Sequence, residues 1–185
     1  MKKENTALYI LRLTATLLAI CAVVALALAG VNAITAKKIA ENKEQKTKEA
    51  LQQVLPGAAV FEEISFTDAS GLVTKVYQDP AVGYAVEVAP KGFGGAITMM
   101  VGVSSEGKVL GISIISHAET PGLGAVAAAG TDKGVAFREQ FKGLISGITI
   151  GDGENQIAAI SGATISSKAV ADGVNAALEC VKNMG

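Results

Sequence analysis

The chain begins with a long apolar stretch whose pattern differs from everything that follows. Residues 13–34 form a run of 22 residues without a charged side chain. At a rise of about 1.5 Å per residue, a helix of this length spans the hydrocarbon core of a membrane, which is about 30 Å thick. A cleaved signal peptide, with Lys2 and Lys3 at its basic start, is the alternative. Because the run exceeds the roughly 7–15 residues of a signal-peptide core, a retained transmembrane helix is favoured.

Behind this run the pattern changes to shorter amphipathic segments. Residues 38–55 contain neither glycine nor proline, and they predict a stalk helix that continues from the apolar run. Pro56-Gly57 is expected to end that helix. Strands are predicted over residues 73–78, 83–89, 96–103 and 109–116. The polar, glycine-containing residues 104–108 predict a hairpin between the last two strands.

Two further segments have helical character, residues 134–141 and 167–183. In the second, apolar residues recur at helical spacing and give one face that can cover a sheet. The fold class is therefore α+β, an antiparallel sheet covered by helices, with one N-terminal transmembrane helix. We expect an N-terminal segment with the anchor over residues 1–35, a stalk helix over 36–56 and a compact domain over 57–185.

Composition narrows the possible functions. The 185 residues carry 16 basic and 17 acidic side chains, a net charge of −1, which provides no general attraction for nucleic acid. One histidine and two cysteines are too few for a His- or Cys-rich metal site. Cys21 lies in the apolar run and Cys180 near the C-terminus, so we expect no disulfide between them.

The basic residues beside the apolar run bear on membrane orientation. Lys2, Lys3 and Arg12 precede the run, whereas five lysines follow it between residues 37 and 48. By the positive-inside rule, this excess places the following domain in the cytoplasm. A short N-terminus before a single span leaves the orientation open on charge alone.

Three stretches are unusually rich in small residues, and each is a candidate for a functional role. Their candidate residues are Gly92, Gly94 and Gly95; His117, Glu119, Thr120, Gly122 and Leu123; and Ser161, Gly162, Ala163, Thr164, Ser166 and Ser167. The first set lets backbone approach a ligand, although a strained connection between strands needs the same glycines. The second set offers a His–Glu pair for acid–base chemistry, or simply an exposed loop.

The third stretch opens the C-terminal helix and offers the most specific chemistry. Ser166 or Ser167 is suited to cap the helix, and the Thr164 hydroxyl is expected two or three residues ahead of the helix start. A helix N-terminus has unpaired N–H groups and partial positive charge, which favour a phosphate. The sequence matches neither a Walker loop nor a dinucleotide fingerprint. Ser-x-x-Lys spacing is also missing before Lys168, because Ile165 occupies the required position, which disfavours a serine hydrolase.

These motifs resemble a known family. SHAETPGLG at residues 116–124 and SGATISSKAV at 161–170, in this order behind a single anchor, are similar to the FMN-binding RnfG subunit of the Rnf ion-translocating electron transport complex. KGFGGAI at 91–97 and VLPGA at 54–58 extend the resemblance over nearly the whole chain. A related subunit of the sodium-pumping quinone reductase shares the SGAT-type motif but is usually longer.

The resemblance implies a cofactor, an activity and a location. In that family, the threonine that closes SGAT carries FMN through a phosphoester, which corresponds to Thr164 here. A flavin transferase forms the bond outside the cytoplasm, so the resemblance places the domain on the extracytoplasmic side of the cell membrane, against the lysine count. It implies an electron-transfer subunit that works with the other membrane subunits of the Rnf complex, without catalytic residues of its own. The remaining candidate residues would then surround the flavin.

One position departs from the family pattern. An acidic residue usually stands three positions before the serine of SGAT, where this chain has Ala158. If the transferase requires that carboxylate, attachment is weakened. The alternative function is therefore an assembly or structural subunit of such a membrane complex that carries no covalent flavin.

Overall fold

The computed structural model describes residues 6–151 and 155–184. The chain divides into two compact units, Met1–Glu44 and Gln45–Gly185. The first unit consists of the greater part of one long helix, α1, which runs over Thr6–Val54. The side chains described between residues 8 and 44 are exposed. By length and composition this helix could cross a membrane, as predicted from the apolar run.

The predicted stalk helix is the continuation of α1 into the second unit. It ends where Pro56-Gly57 was expected to end it, with Val54 as its last residue. Gly57 has a φ of +95°, in the left-handed region that glycine adopts without strain. The amide of Ala58 donates to the carbonyl of Leu55 at 3.2 Å and completes the turn out of the helix.

The second unit is built on a five-stranded antiparallel sheet, which confirms the predicted fold class. Its strands are β1 Glu62–Glu63, β2 Val73–Asp79, β3 Gly83–Val88, β4 Thr98–Ser104 and β5 Val109–Ser116. They are paired in chain order as a simple meander. The predicted hairpin joins β4 to β5, and Gly107 in its turn has a φ of +77°. Of these five strands, only β1 was not predicted from the sequence, because a strand of two residues is too short to show alternation.

Helices and short turns follow the sheet in the chain. A 3-10 turn over Gly124–Ala128 leads into α2 at Asp132–Glu139, which the Thr131 side chain caps by accepting from the Gly134 amide. A short parallel pair follows, β6 at Thr149–Ile150 and β7 at Gln156–Ile157. The last helix, α3, spans Thr164–Lys182. The two predicted helices are thus present, and both begin a few residues earlier than the sequence pattern indicated.

Both faces of the sheet are covered, so strand residues of either orientation are buried. On one face, Val86 and Val101 pack in the same core as Val174 of α3. On the other face, Leu51 and Val54 of α1 pack with Ala85, Met100 and Ile115 of the sheet. Burial of apolar side chains on two faces stabilises the fold at about 25 cal/mol per Å² of apolar surface. The sheet therefore gives rigid support to the loops that follow its strands.

Asp79, at the end of β2, ties the segment after α1 to the sheet. Its Oδ2 accepts hydrogen bonds from the amides of Ala59 at 3.0 Å and Val60 at 3.2 Å. Its Oδ1 accepts from the amides of Ala81 at 2.8 Å and Val82 at 3.1 Å. These backbone donors, that of Val60 foremost, hold the pKa of Asp79 below its ordinary value of 3.8.

This arrangement predicts an acid-sensitive contribution to stability. The pKa of Asp79 is lower in the folded chain than in the unfolded chain, so its contribution is present above pH 3.8 and is lost as the pH falls through the folded value. We expect Asp79→Asn to lower the urea midpoint at pH 7, because an amide nitrogen would then face two N–H donors. The difference from the parent should shrink below pH 3.8. Exposed Glu179 provides the control Glu179→Gln, and equal midpoints for all three proteins at pH 7 would contradict the assignment.

Candidate functional site

A pocket of about 360 Å³ lies where the three small-residue stretches meet, and we call it the α3 pocket. Its volume is within the range of small-molecule sites, about 300–1,000 Å³. The residues that line it are Phe93, Glu119, Thr120, Leu123, Gly124, Gly162, Ala163, Thr164, Ile165 and Ser166. Three segments far apart in the chain thus contribute to one cavity.

Thr164 is the first residue of α3, and this corrects the sequence prediction. The pattern placed Thr164 ahead of the helix and Ser166 or Ser167 at its cap. In the structure the cap position is Ala163, which has no side chain able to cap. The Ser167 Oγ instead donates to the Ala163 carbonyl at 3.0 Å and accepts from the Ile160 amide at 3.0 Å. Both serines therefore lie within the first turns of the helix.

The start of α3 leaves backbone donors free towards the pocket. The amide of Ser167 donates to the Ala163 carbonyl at 2.9 Å, the first bond of the helical ladder. The amides of Thr164, Ile165 and Ser166 precede this bond and have no partner within the helix. Because all three residues line the pocket, it has the positive end of the α3 dipole at its wall.

Glu119 is a buried carboxylate in the wall of the pocket. Only 6% of its surface is exposed. Its Oε1 accepts from the Gly94 amide at 2.8 Å, and its Oε2 accepts a short hydrogen bond from the Ser166 hydroxyl. Glu119 thus joins the glycine turn at 92–95 to the first turn of α3. This tertiary contact explains why Ser166 does not cap its own helix.

Glycines surround this carboxylate because there is no room for side chains. A Cβ at Gly92 would overlap Oε1 of Glu119, and a Cβ at Gly124 would overlap Oε2 and the Ser166 hydroxyl. A Cβ at Gly94 would overlap the carbonyl of Ala118, with the carbonyl carbon 2.8 Å away. These glycines allow a close approach between segments of the protein itself, whereas one interpretation of the turn at 92–95 was an approach to a ligand.

Several other candidates lie beside the pocket rather than in its wall. His117 is exposed, and its Nδ1 accepts from the Glu119 amide at 3.2 Å. Gly122 has a φ of +77° and turns the loop, which brings Leu123 to the pocket. Gly95 accepts from the Gly92 amide at 2.7 Å and closes its own turn. Ser161 is exposed just before the pocket-lining residues.

Thr120 lines the pocket, but its backbone also stabilises the loop. Its carbonyl accepts from the amides of Leu123 at 3.1 Å and Ala125 at 3.2 Å. One interpretation of the sequence was an exposed loop without a functional role. In the structure the Thr120 backbone holds the loop together, and the residue is exposed in the lining of the pocket.

Sequence reasoning missed three residues of the pocket wall, Phe93, Gly124 and Ile165. Phe93 is 71% exposed and Ile165 is 58% exposed, although both are large apolar residues. With Leu123, they give the pocket an apolar rim. A phenylalanine between glycines in the KGFGG turn was the available signal, because such a turn offers little core to bury an aromatic ring.

Comparison with protein families agrees with this geometry. Residues 92–179 match the FMN-binding domain, a range that includes the whole α3 pocket. Residues 1–54 match the RnfG N-terminal region, which coincides with α1 up to its last residue.

Individual relatives resemble the chain over nearly its full length. The G subunit of the Na⁺-translocating ferredoxin:NAD⁺ oxidoreductase complex of Acetobacterium woodii is 34% identical, over 95% of this chain and 93% of the relative. The G subunit of the proton-translocating ferredoxin:NAD⁺ oxidoreductase complex of Clostridium ljungdahlii is 32% identical, over 98% and 96%. The G subunit of the ion-translocating oxidoreductase complex of Methanosarcina acetivorans is 34% identical, over 93% and 94%. The resemblance inferred from the motifs is therefore confirmed, and the chain belongs to the RnfG family of subunits of the Rnf ion-translocating oxidoreductase complexes.

Proposed function

We propose that this chain is the electron-carrying flavoprotein subunit of an ion-translocating ferredoxin–NAD oxidoreductase complex, with FMN attached through a phosphoester to Thr164. The observation that carries the proposal is the position of Thr164. It is an exposed hydroxyl at the first position of α3, in the wall of a pocket within the FMN-binding domain. The relatives' membership of such complexes supports the partner assignment, with other membrane subunits as partners.

The start of α3 suits the phosphate of the cofactor. Three backbone amides without helical partners, at Thr164, Ile165 and Ser166, can donate to phosphate oxygens at the positive end of the helix. The Thr164 oxygen would displace the leaving group of an activated flavin nucleotide. A phosphorus–oxygen bond to that group breaks, a bond to Oγ1 forms, and the hydroxyl proton leaves with the displaced group. A flavin transferase is the proposed catalyst, because the Thr164 hydroxyl forms no hydrogen bond to a base among the described residues.

The rim of the pocket suits the apolar ring system of the cofactor. Phe93, Leu123 and Ile165 are 71%, 43% and 58% exposed, and all three line the pocket. Aromatic and aliphatic surface of this kind gains stability when a flat ring covers it. Glu119, Gly94 and Ser166 hold the wall behind the rim through their hydrogen bonds. These residues orient the flavin and exclude water from one of its faces.

Flavin supplies the redox chemistry when bound, and the protein supplies attachment, orientation and electrostatics. An electron carrier of this kind needs no nucleophile or proton relay of its own. We therefore assign no catalytic residue to the chain and do not expect it to act as a separate enzyme. Thr164 fixes the cofactor, and the apolar rim leaves it near the surface, where redox partners can approach.

An assembly subunit without covalent flavin is the second candidate, and Ala158 is the observation that favours it. Ala158 is exposed, and the Gln140 side chain binds its backbone: Oε1 accepts from the Ala158 amide at 2.8 Å, and Nε2 donates to the Ala158 carbonyl at 3.4 Å. The intact mass of the purified chain distinguishes the two functions. An added FMN phosphodiester supports the electron carrier, whereas the mass of the unmodified chain supports the assembly subunit.

The proposed membrane location can be tested separately from the flavin. If α1 is a retained anchor, the full chain should stay with membranes after a carbonate wash, and deletion of residues 1–35 should release a soluble domain. We place the domain on the extracytoplasmic side, since the flavin transferase acts there in this family. A protease added to cells with a permeable outer layer should then cleave the domain. Recovery of the full chain in the wash would contradict the anchor, and protection equal to that of a cytoplasmic marker would contradict the orientation.

A further inference from the structure

Glu119 is unusual because it is a buried carboxylate without a cation. Its hydrogen bonds come from neutral groups, the Gly94 amide and the Ser166 hydroxyl. Within the described residues, no lysine, arginine or histidine nitrogen forms an ion pair with it. Because little water can surround it, this carboxylate acts on charges in the cavity that it lines more strongly than a solvated carboxylate would.

The other residues of the α3 pocket do not compensate this charge. Among the described residues of its wall there is no lysine and no arginine. The positive end of α3 contributes the equivalent of about half an elementary charge. The pocket therefore combines one full negative charge with a weaker positive end, although the cofactor proposed for it is itself an anion.

The charge of that anion depends on whether it is attached. A phosphate with a single ester bears about −1.5 to −2 charges at pH 7. A second ester bond, as to Thr164, removes one ionisable oxygen and leaves a single negative charge. Attachment therefore lowers the repulsion from Glu119, and it also raises the local flavin concentration to the millimolar range expected of a short tether.

We propose that Glu119 is a specificity-determining residue that disfavours free FMN in the α3 pocket. The pocket accepts the flavin as the singly charged diester on Thr164, or as uncharged riboflavin, in preference to the free monoester. This inference depends on the proposed function, in that the pocket is taken to hold a flavin. It explains why a pocket built at a helix N-terminus contains a carboxylate where a phosphate-binding site would ordinarily use a lysine or arginine.

The size of the effect follows from the size of the cavity. A volume of about 360 Å³ limits the separation of two charges within it. At a separation on the order of 9 Å and an effective dielectric constant of about 20, one additional charge changes binding by about twenty-fold. Screening over a Debye length of about 8 Å lowers the effect to about three-fold.

The test measures free flavins with attachment blocked. In the full-length Thr164→Val protein, purified in detergent, we titrate riboflavin and FMN and follow the quenching of flavin fluorescence. We expect riboflavin to bind more tightly than FMN. Adding Glu119→Gln should tighten FMN binding about three-fold or more and leave riboflavin unchanged, because the amide keeps the shape of the side chain without its charge. The matched control adds Asp172→Asn, which removes a charge from the exposed face of α3 and should leave both affinities unchanged.

A second measurement needs no change at Glu119. If the pocket repels the FMN phosphate, added potassium chloride should tighten FMN binding to the Thr164→Val protein, with riboflavin as the uncharged reference. Tighter binding of FMN than of riboflavin, or FMN binding that weakens with salt, would overturn the inference, as would an unchanged FMN affinity in the folded Glu119→Gln variant. Absence of the flavin mass from the wild-type chain would instead overturn the proposed function. Absence of binding by either flavin in every variant would overturn the inference alone, because the mass of the wild-type chain decides the proposed function separately.

Discussion

Thr164→Val is expected to lose all covalently bound flavin while the domain folds normally. Valine keeps the branched shape of threonine and removes the hydroxyl to which the phosphate would be attached. The Thr164 side chain is exposed and makes no hydrogen bond in the part of the chain that the structure describes. We therefore expect the free energy of unfolding to change by no more than about 0.5 kcal/mol, as for other surface positions. Flavin fluorescence in denaturing gels, with the transferase co-expressed, gives the readout.

Two further variants test which residues the flavin transferase requires for attachment. Thr164→Ser keeps a hydroxyl at the start of α3 and should retain part of the flavin. Ala158→Asp restores the acidic residue typical of the family, and because Ala158 is exposed, the carboxylate can be accommodated without repacking. It should raise occupancy if the present sequence is a poor substrate. A fluorescent band of full intensity in Thr164→Val would show that the flavin is attached elsewhere, with the neighbouring serines as the next candidates.

The fold was largely predictable because its elements follow regular periods. Strands β2 to β5 alternate or are apolar over six to eight residues, and α3 repeats its apolar residues at helical spacing. The strands β1, β6 and β7 have two residues each, too few for any period to show. Strand β1 pairs with β2, and β6 pairs with β7, so each depends on contacts outside its own two residues.

The limits of helix α3 show why the site was harder to predict than the fold. Local preference indicated Ser166 or Ser167 as a cap, since serine is among the best residues for that role. Instead, the Glu119 carboxylate, 47 residues earlier in the chain, accepts the hydrogen bond of the Ser166 hydroxyl. The helix then starts at Thr164, so the proposed attachment point lies on the helix itself. A tertiary contact thus overrode a local preference.

Membership in the site could be predicted by segment but not by residue. The motifs identified all three segments of the pocket, because runs of glycine and hydroxyl residues are rare in a core. They did not distinguish Glu119, which lines the pocket, from His117, which is exposed and supports the Glu119 amide. They also missed Phe93, since the sequence alone does not indicate on which side of a turn a ring will lie. That distinction requires the orientation of side chains.

The substitution Gly94→Ala is expected to have the second large effect, on both stability and flavin occupancy. The Gly94 amide donates to Glu119 at 2.8 Å, and a Cβ there would meet the carbonyl group of Ala118, whose carbon would be 2.8 Å away. Backbone cannot move aside as the end of a flexible side chain can, so Gly94→Ala must shift the glycine turn or the loop that holds Glu119. Overpacking of this kind costs about 1–3 kcal/mol of folding free energy. We also expect lower flavin occupancy, because the displaced segments form two walls of the α3 pocket.

Gly130→Ala is the matched control for this prediction. Gly130 is exposed, no atom lies within 4 Å of the position that its Cβ would take, and its φ is outside the positive range. Alanine there should leave the stability unchanged or raise it by about 0.4–1 kcal/mol, since it restricts the unfolded chain. Urea unfolding of both variants, followed by circular dichroism, compares their stabilities, and in-gel fluorescence compares their flavin content. If Gly94→Ala unfolds at the same urea concentration as Gly130→Ala and carries as much flavin, the contact between the glycine turn and Glu119 is not needed to shape the pocket.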